Sequence, residues 1–160
     1  MADYKELDRK VIELGKQAVK MCTAAGSGHP SSALSIMHLT TALMYRVMRY
    51  DPKNPWSAGA DRLVLSEGHA VPVIYAAYCD LGGVVGTEYH PSELRDEDVL
   101  TLRQGDSVLD GHPNPAVGFG FFDAATGSLG QGLSVAGGLA LGGRLDGAEK
   151  KVFCLIGDGE

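Results

Sequence analysis

The run Lys151-Val-Phe-Cys-Leu-Ile156 is apolar and passes directly into Gly157-Asp158-Gly159-Glu160. A short apolar run that ends in turn residues reads as a buried strand. It therefore delivers one carboxylate, Asp158, at its carboxyl end between two glycines. Leu63-Val64-Leu65 is a second strand of this kind, broken by Ser66-Glu67-Gly68-His69. The segments between the two strands carry helical patterns, which implies an α/β fold with a parallel sheet. Two strands do not complete such a sheet, so the fold reads as incomplete at the C-terminus. The chain stops at a strand end, where open α/β sheets put their ligand sites.

Four helices are expected. Leu7, Val11, Leu14, Ala18 and Met21 recur at helical spacing with charged residues between them, up to Gly26. Ser31 and Ser32 are suited to cap a second helix, from about Ala33 to Val47, whose apolar residues lie nearly all round. Asp51 to Gly59 reads as a loop. A third helix spans about Ala70 to Leu81, with Pro72 tolerated in its first turn. Ser92 to Gln104 shows a weaker, charged helical pattern, and glycine and proline dominate from Gly105 to Gly120. The run Leu129 to Leu145 reads as the fourth main helix despite six interior glycines, each costing about 1 kcal/mol against alanine. A packing or binding requirement must offset that cost.

Composition narrows the function. The 160 residues are 44% hydrophobic and contain no repeat or linker, as expected of one domain with a core. A net charge of −6 argues against a nucleic-acid binder. No window approaches a membrane span. The charged start, Met1 to Lys10, lacks a signal-peptide core, and Cys22, Cys79 and Cys154 form no C-x-x-C pair. The expectation is a cytoplasmic protein with buried free thiols. Phosphate-loop, dinucleotide, nucleophile-elbow and zinc spacings are all missing.

The 22 glycines gather beside His, Pro, Ser and Asp. Three of the five histidines follow glycine, in Gly28-His29-Pro30, Gly68-His69-Ala70 and Gly111-His112-Pro113. Each lies in a break between elements, where binding residues concentrate. One such histidine alone reads as a loop residue; three together suggest a shared polar cleft for oxygen-rich ligands or proton transfer. His38 and His90 lack that context and read as structural and exposed. Thr126-Gly-Ser-Leu-Gly-Gln-Gly-Leu-Ser134 reads either as a helix start packed on the sheet or as a loop presenting Leu129 to a ring system. Gly157-Asp158-Gly159 reads either as a turn or as a site for a divalent cation and phosphate.

Taken in order, these motifs resemble transketolase. Ser27 to Ser35 is similar to the family's first histidine loop and Asp61 to His69 to its second. Gly111-His112-Pro113, Thr126 to Ser134 and Val152 to Glu160 follow in the family's sequence, so the resemblance runs from about residue 5 to the end. Ser31 stands where many members have glycine.

The resemblance implies the parallel-sheet thiamine-diphosphate-binding fold, with residues 1–160 forming the N-terminal part of the diphosphate-binding domain. It implies transfer of a two-carbon glycolaldehyde unit from a ketose phosphate to an aldose phosphate, in the pentose phosphate pathway. His29 and His112 would be the catalytic contacts to the sugar and the reacting carbon's oxygens. Ser32, His69, Gly127, Ser128, Leu129, Gly157 and Gly159 would bind thiamine diphosphate, and Asp158 would ligate Mg²⁺ or Ca²⁺. In the family the metal motif continues with an asparagine beyond this turn, and the pyrimidine-binding and C-terminal domains follow. The expectation is a fragment inactive alone, working as a homodimer or with a split-subunit partner that carries the pyrimidine-binding domain. The nearest alternatives are a dihydroxyacetone synthase or a specialised split-subunit sugar transketolase. A non-catalytic sugar-phosphate-binding scaffold is the alternative of another class, and it needs neither the three histidines nor Asp158.

Overall fold

A computed structural model describes residues 4–160. Helix α1 (Tyr4–Ala25) buries Val11, Leu14, Ala18 and Met21 along one stripe, as the periodicity predicts. It ends at Gly26, whose φ of 60° suits a residue without a β-carbon. Helix α2 (Pro30–Ala42) begins earlier than expected because Pro30 takes the first helical position, where its missing N–H costs nothing. Ser31 and Ser32 therefore lie inside the first turn rather than capping it, and His29 is the N-cap residue. The helix is also not buried all round: Leu34 and Leu39 are exposed. Its last turn widens into a π-helical segment, Leu43–Val47.

Strand β1 (Arg62–Leu65) pairs in parallel with β4 (Val152–Leu155), from Arg62 opposite Val152 to Leu65 opposite Leu155. Both predicted strands are present and run as expected. Helix α3 (Pro72–Asp80) follows β1 after a short 3₁₀ turn at Gly68–Ala70; Pro72 again starts the helix. Every residue of α3 except Asp80 is buried, which makes it the centre of the core.

The largest departure lies between Val84 and Thr101. Strands β2 (Val84–Thr87) and β3 (His90–Glu93) form an antiparallel hairpin, and only Asp98–Thr101 is helical, as a 3₁₀ turn. The charged pattern from Ser92 to Gln104 thus reflects exposed hairpin and loop residues. Helix α4 (Gln131–Leu145) leads back to β4. Cys22 and Cys79 are buried and Cys154 half-buried, all as free thiols. His38 and His90 are both exposed. No described helix is long and apolar enough to cross a membrane.

Candidate functional site

The parallel pair of strands gives the molecule two unlike ends. At the amino end, Asp61 is buried and its carboxylate accepts from the Arg49 guanidinium (3.1 Å) and from the amides of Arg49 (2.9 Å) and Lys151 (2.8 Å). Burial alone would raise its pKa, but the guanidinium and the two amides outweigh that and hold the carboxyl below its ordinary value. This cluster ties the start of β1 to the start of β4.

The carboxyl end is assembled from loops. The Ser66 amide donates to the Leu155 carbonyl at 2.8 Å, so the chain leaving β1 still follows β4. The buried Thr126 hydroxyl donates to the Leu65 carbonyl, and the Gly132 amide to the Ser66 hydroxyl at 3.1 Å. These bonds draw the Thr126–Leu129 loop and the start of α4 onto the end of β1. Two glycines permit the approach. A β-carbon on Gly68 would lie 2.8 Å from both the Gly127 α-carbon and the Thr126 carbonyl oxygen, and 2.9 Å from the His112 ring. One on Gly127, whose φ is 143°, would lie 2.5 Å from the same ring. The high glycine content is thus a packing requirement at this junction.

The third loop is anchored from behind. Tyr75, Tyr78, Phe119, Phe121 and Phe122 form a buried aromatic cluster, with the Tyr75 and Phe119 rings 4.7 Å apart. The Tyr75 hydroxyl donates to the His112 carbonyl at 3.4 Å. The cluster therefore fixes the glycine- and proline-rich segment that carries His112.

The three Gly-His loops do converge. The His29 and His69 rings meet edge-to-face with centroids 4.9 Å apart. Both lie near enough to His112 to influence its charge. Burial lowers the His112 pKa first; Arg103, His69 and His29 push it the same way, against Asp110. His112 is therefore held neutral through most of the physiological range. His29 is exposed, and His69 and His112 are half-buried, so all three can face a ligand. Ser32 lies half-buried in the first turn of α2, just past His29.

The Gly-Asp-Gly turn closes the same end. Glu160 accepts from the Gly157 amide at 2.9 Å and from the Gly130 amide at 3.1 Å, bridging the end of β4 to the N-cap of α4. The Gly157 amide is thereby engaged within the protein, whereas Asp158 and Gly159 are exposed. Glu67 joins this group: its carboxyl is raised by burial and by the nearby Glu160 and Asp158 charges. No salt bridge neutralises Glu67, Asp158 or Glu160 among the described residues. Ser128 and Leu129 sit exposed beside the turn, Leu129 at 61%. An all-oxygen, uncompensated acidic group suits a hard cation. No cluster of three or more metal-binding side chains exists among the described residues, so such a cation would take oxygens from a bound phosphate as well.

Residues 8–159 match the family described as transketolase, thiamine diphosphate binding domain. The chain belongs to the transketolase family. Transketolase of Pongo abelii is 44% identical over 144 residues, which covers 89% of this chain and 21% of the relative. The 6-deoxy-6-sulfo-D-fructose transketolase subunit SqwG of Clostridium sp. (strain MSTE9) is 42% identical, over 97% of this chain and 52% of that subunit. The crystal structure of Pichia stipitis transketolase in complex with sedoheptulose-7-phosphate matches with a TM-score of 0.81 at 29% identity, covering 96% of this chain and 23% of that one. The fold is thus the α/β thiamine-diphosphate-binding fold of transketolases. The chain spans about a fifth of the length of the curated transketolases of Pongo abelii and Homo sapiens that it matches.

Sequence reasoning found the three transketolase-type histidine loops and the Asp158 turn, and missed what supports them. Thr126 and Ser66 act through single hydrogen bonds across long sequence separations, which no local pattern reveals. Glu67 and Glu160 flank recognised motifs, but only the fold shows that their charges share one site with Asp158. Arg103 lies at the end of a misread helical pattern, and its nearness to His112 depends on the loop that replaces that helix.

Proposed function

We propose that this chain is the diphosphate-gripping part of a thiamine-diphosphate-dependent ketol transferase, which moves a two-carbon unit between sugar phosphates. The observation that carries this reading is the meeting of three Gly-His loops with the Asp158 turn at the carboxyl ends of β1 and β4.

When bound, thiamine diphosphate supplies the electron sink that carbon–carbon cleavage beside a carbonyl requires. The chain's own residues supply grip, orientation and proton handling. His69 and the Gly159 amide would hold the diphosphate, and Asp158 would ligate Mg²⁺ or Ca²⁺. Gly127, Ser128 and Leu129 would line the cofactor rings, the exposed Leu129 side chain giving an apolar face. Ser32, in the first turn of α2, and Gly157, at the end of β4, would complete the cofactor contacts. His112, held neutral, can accept a proton from a sugar hydroxyl or donate its N–H to a carbonyl oxygen, and His29 contacts the same oxygens from the opposite loop.

In this reading residues 1–160 are the N-terminal part of the diphosphate-binding domain. The pyrimidine-binding site comes from further sequence, from a second copy, or from a partner subunit. The similarity to SqwG, which is named as a subunit, favours a second reading in which the substrate is a sulfonated sugar and the enzyme is split between chains. A panel of ketose and aldose phosphates and their 6-sulfo analogues, offered to the intact protein with thiamine diphosphate and Mg²⁺, separates the two. Absence of ketol transfer from every donor would defeat both.

A further inference from the structure

Arg103 is the one non-glycine residue with positive φ among the described residues, at 63°. Its amide donates to the Leu109 carbonyl at 2.8 Å, which folds the segment 103–109 back toward the cleft. That fold brings the guanidinium over Gly111: a β-carbon on Gly111 would lie 2.9 Å from its Cζ and Nε atoms. Gly111 has an ordinary φ, so the space its missing side chain leaves, rather than a turn conformation, is what the guanidinium uses. The side chain is exposed, and no hydrogen bond or ion pair engages it among the described residues. Asp110, the acid that acts on His112, is committed to the Gly111 amide at 2.6 Å and to the Asn114 amide group at 2.9 Å, and Asp106, three residues along the loop, forms no ion pair with Arg103.

We propose that Arg103 is a positioning residue of the histidine cleft, packing on Gly111 and keeping an uncommitted positive charge beside the His112 imidazole. An unfavourable backbone conformation at an arginine persists only where its surroundings fix it, and such residues gather at functional sites. Here the fixed conformation delivers a cation to the one histidine loop that is anchored by the aromatic core. Two groups on separate elements register that cation: His112, and Cys22 on α1 below the His29 loop. The groups facing His112 are Arg103 and Asp110 from its own segment, His69 after β1, His29 at the start of α2 and the Tyr75 hydroxyl of α3, which donates to its carbonyl. Of these, Arg103 is the group that brings a guanidinium, whose positive charge disfavours the protonated imidazole.

The proposal rests on the ketol-transfer reading for its catalytic meaning but not for its test. In the intact protein, carbon-labelled histidine rings report the His112 titration by NMR, and kcat/KM is followed against pH in parallel. Arg103→Met should raise the His112 midpoint by about half a unit to one unit, and Arg103→Lys should largely restore it. Gly111→Ala, which displaces the guanidinium without removing it, should move the midpoint in the same direction by less. The acid limb of kcat/KM should follow, giving a loss of about 3- to 10-fold near pH 6 and less than about 2-fold above pH 8. If Arg103→Met fails to fold, Arg103→Gly removes the same charge in a conformation that glycine adopts freely. A His112 midpoint unmoved in the Arg103 variants, or Lys and Met behaving alike, would overturn the proposal. A protein without ketol transfer would defeat the functional reading alone, because the ring titration would still decide what Arg103 does.

Discussion

At the amino ends of β1 and β4 a single buried carboxylate, Asp61, has a guanidinium and two backbone amides as partners. At the carboxyl ends the Asp158 and Glu160 charges act on the half-buried Glu67, with no cation paired to any of the three among the described residues. The first arrangement lowers the energy of the folded chain; the second raises it and is tolerated where a ligand can supply the missing charge. The same division holds for glycine and histidine. They cluster where loops meet at the carboxyl end, while the opposite end is tied by charge pairs and backbone. Stability and the proposed binding site are thus separated along the strand axis by less than the length of two four-residue strands.

That separation can be tested from both ends. The largest effect on stability is expected from Asp61→Ala, which leaves the Lys151 and Arg49 amides without their acceptor. Thermal or denaturant unfolding should show a loss of about 2–4 kcal/mol, with cofactor affinity of the folded protein unchanged. Its pH dependence follows from the depressed folded-state pKa. The stabilisation is present above the unfolded value of about 3.9 and disappears as pH falls through the lower folded value. The stability gap between wild type and Asp61→Asn should therefore close below about pH 4.

Asp158→Ala should do the reverse. It should leave the unfolding midpoint of the ligand-free protein in place, because the side chain is exposed, and weaken Mg²⁺-dependent thiamine diphosphate binding by about 100-fold in calorimetry. Equal losses of stability from both aspartates would erase the distinction between the ends. Gly68→Ala probes the junction itself. The new methyl must push apart the Gly127 backbone and the Thr126 carbonyl, so a stability loss of about 1–3 kcal/mol and weaker cofactor binding should appear together. Gly59→Ala, with open space around its β-carbon, should change neither by more than about 0.5 kcal/mol. The remaining effect is a gain. Glu67→Gln removes a charge that is half-buried and repelled by its neighbours, and should stabilise the ligand-free protein by about 0.5 kcal/mol while reducing affinity for the divalent ion.

The end proposed to bind the cofactor is legible in the sequence, and the stabilising end is nearly invisible. Gly-His pairs, the Gly-Asp-Gly turn and the glycine-rich start of α4 are local patterns, because ligands are gripped by short loops whose residues are adjacent in the chain. Asp61 was readable only as part of a motif ending in His69; its partners Arg49 and Lys151 lie 12 and 90 residues away. The hairpin of β2 and β3 was missed for a different reason. His90-Pro91-Ser92-Glu93 has no β-forming side chain and is exposed throughout, so its pairing rests on backbone bonds and on Gly86, whose φ of 99° lets it pass under His90. The start of α2 was misjudged because serines were preferred as caps over a proline that fixes the first turn.

The central claim is that the loops at the carboxyl ends of β1 and β4 form one cofactor-gripping site. The most direct measurement is an anomalous diffraction map of the intact protein grown with thiamine diphosphate and Mn²⁺ in place of Mg²⁺. The account predicts a manganese peak against the Asp158 carboxylate, diphosphate density reaching His69 and Gly159, and ring density over Gly127 to Leu129. A metal peak away from Asp158, or diphosphate density remote from His69, would contradict it.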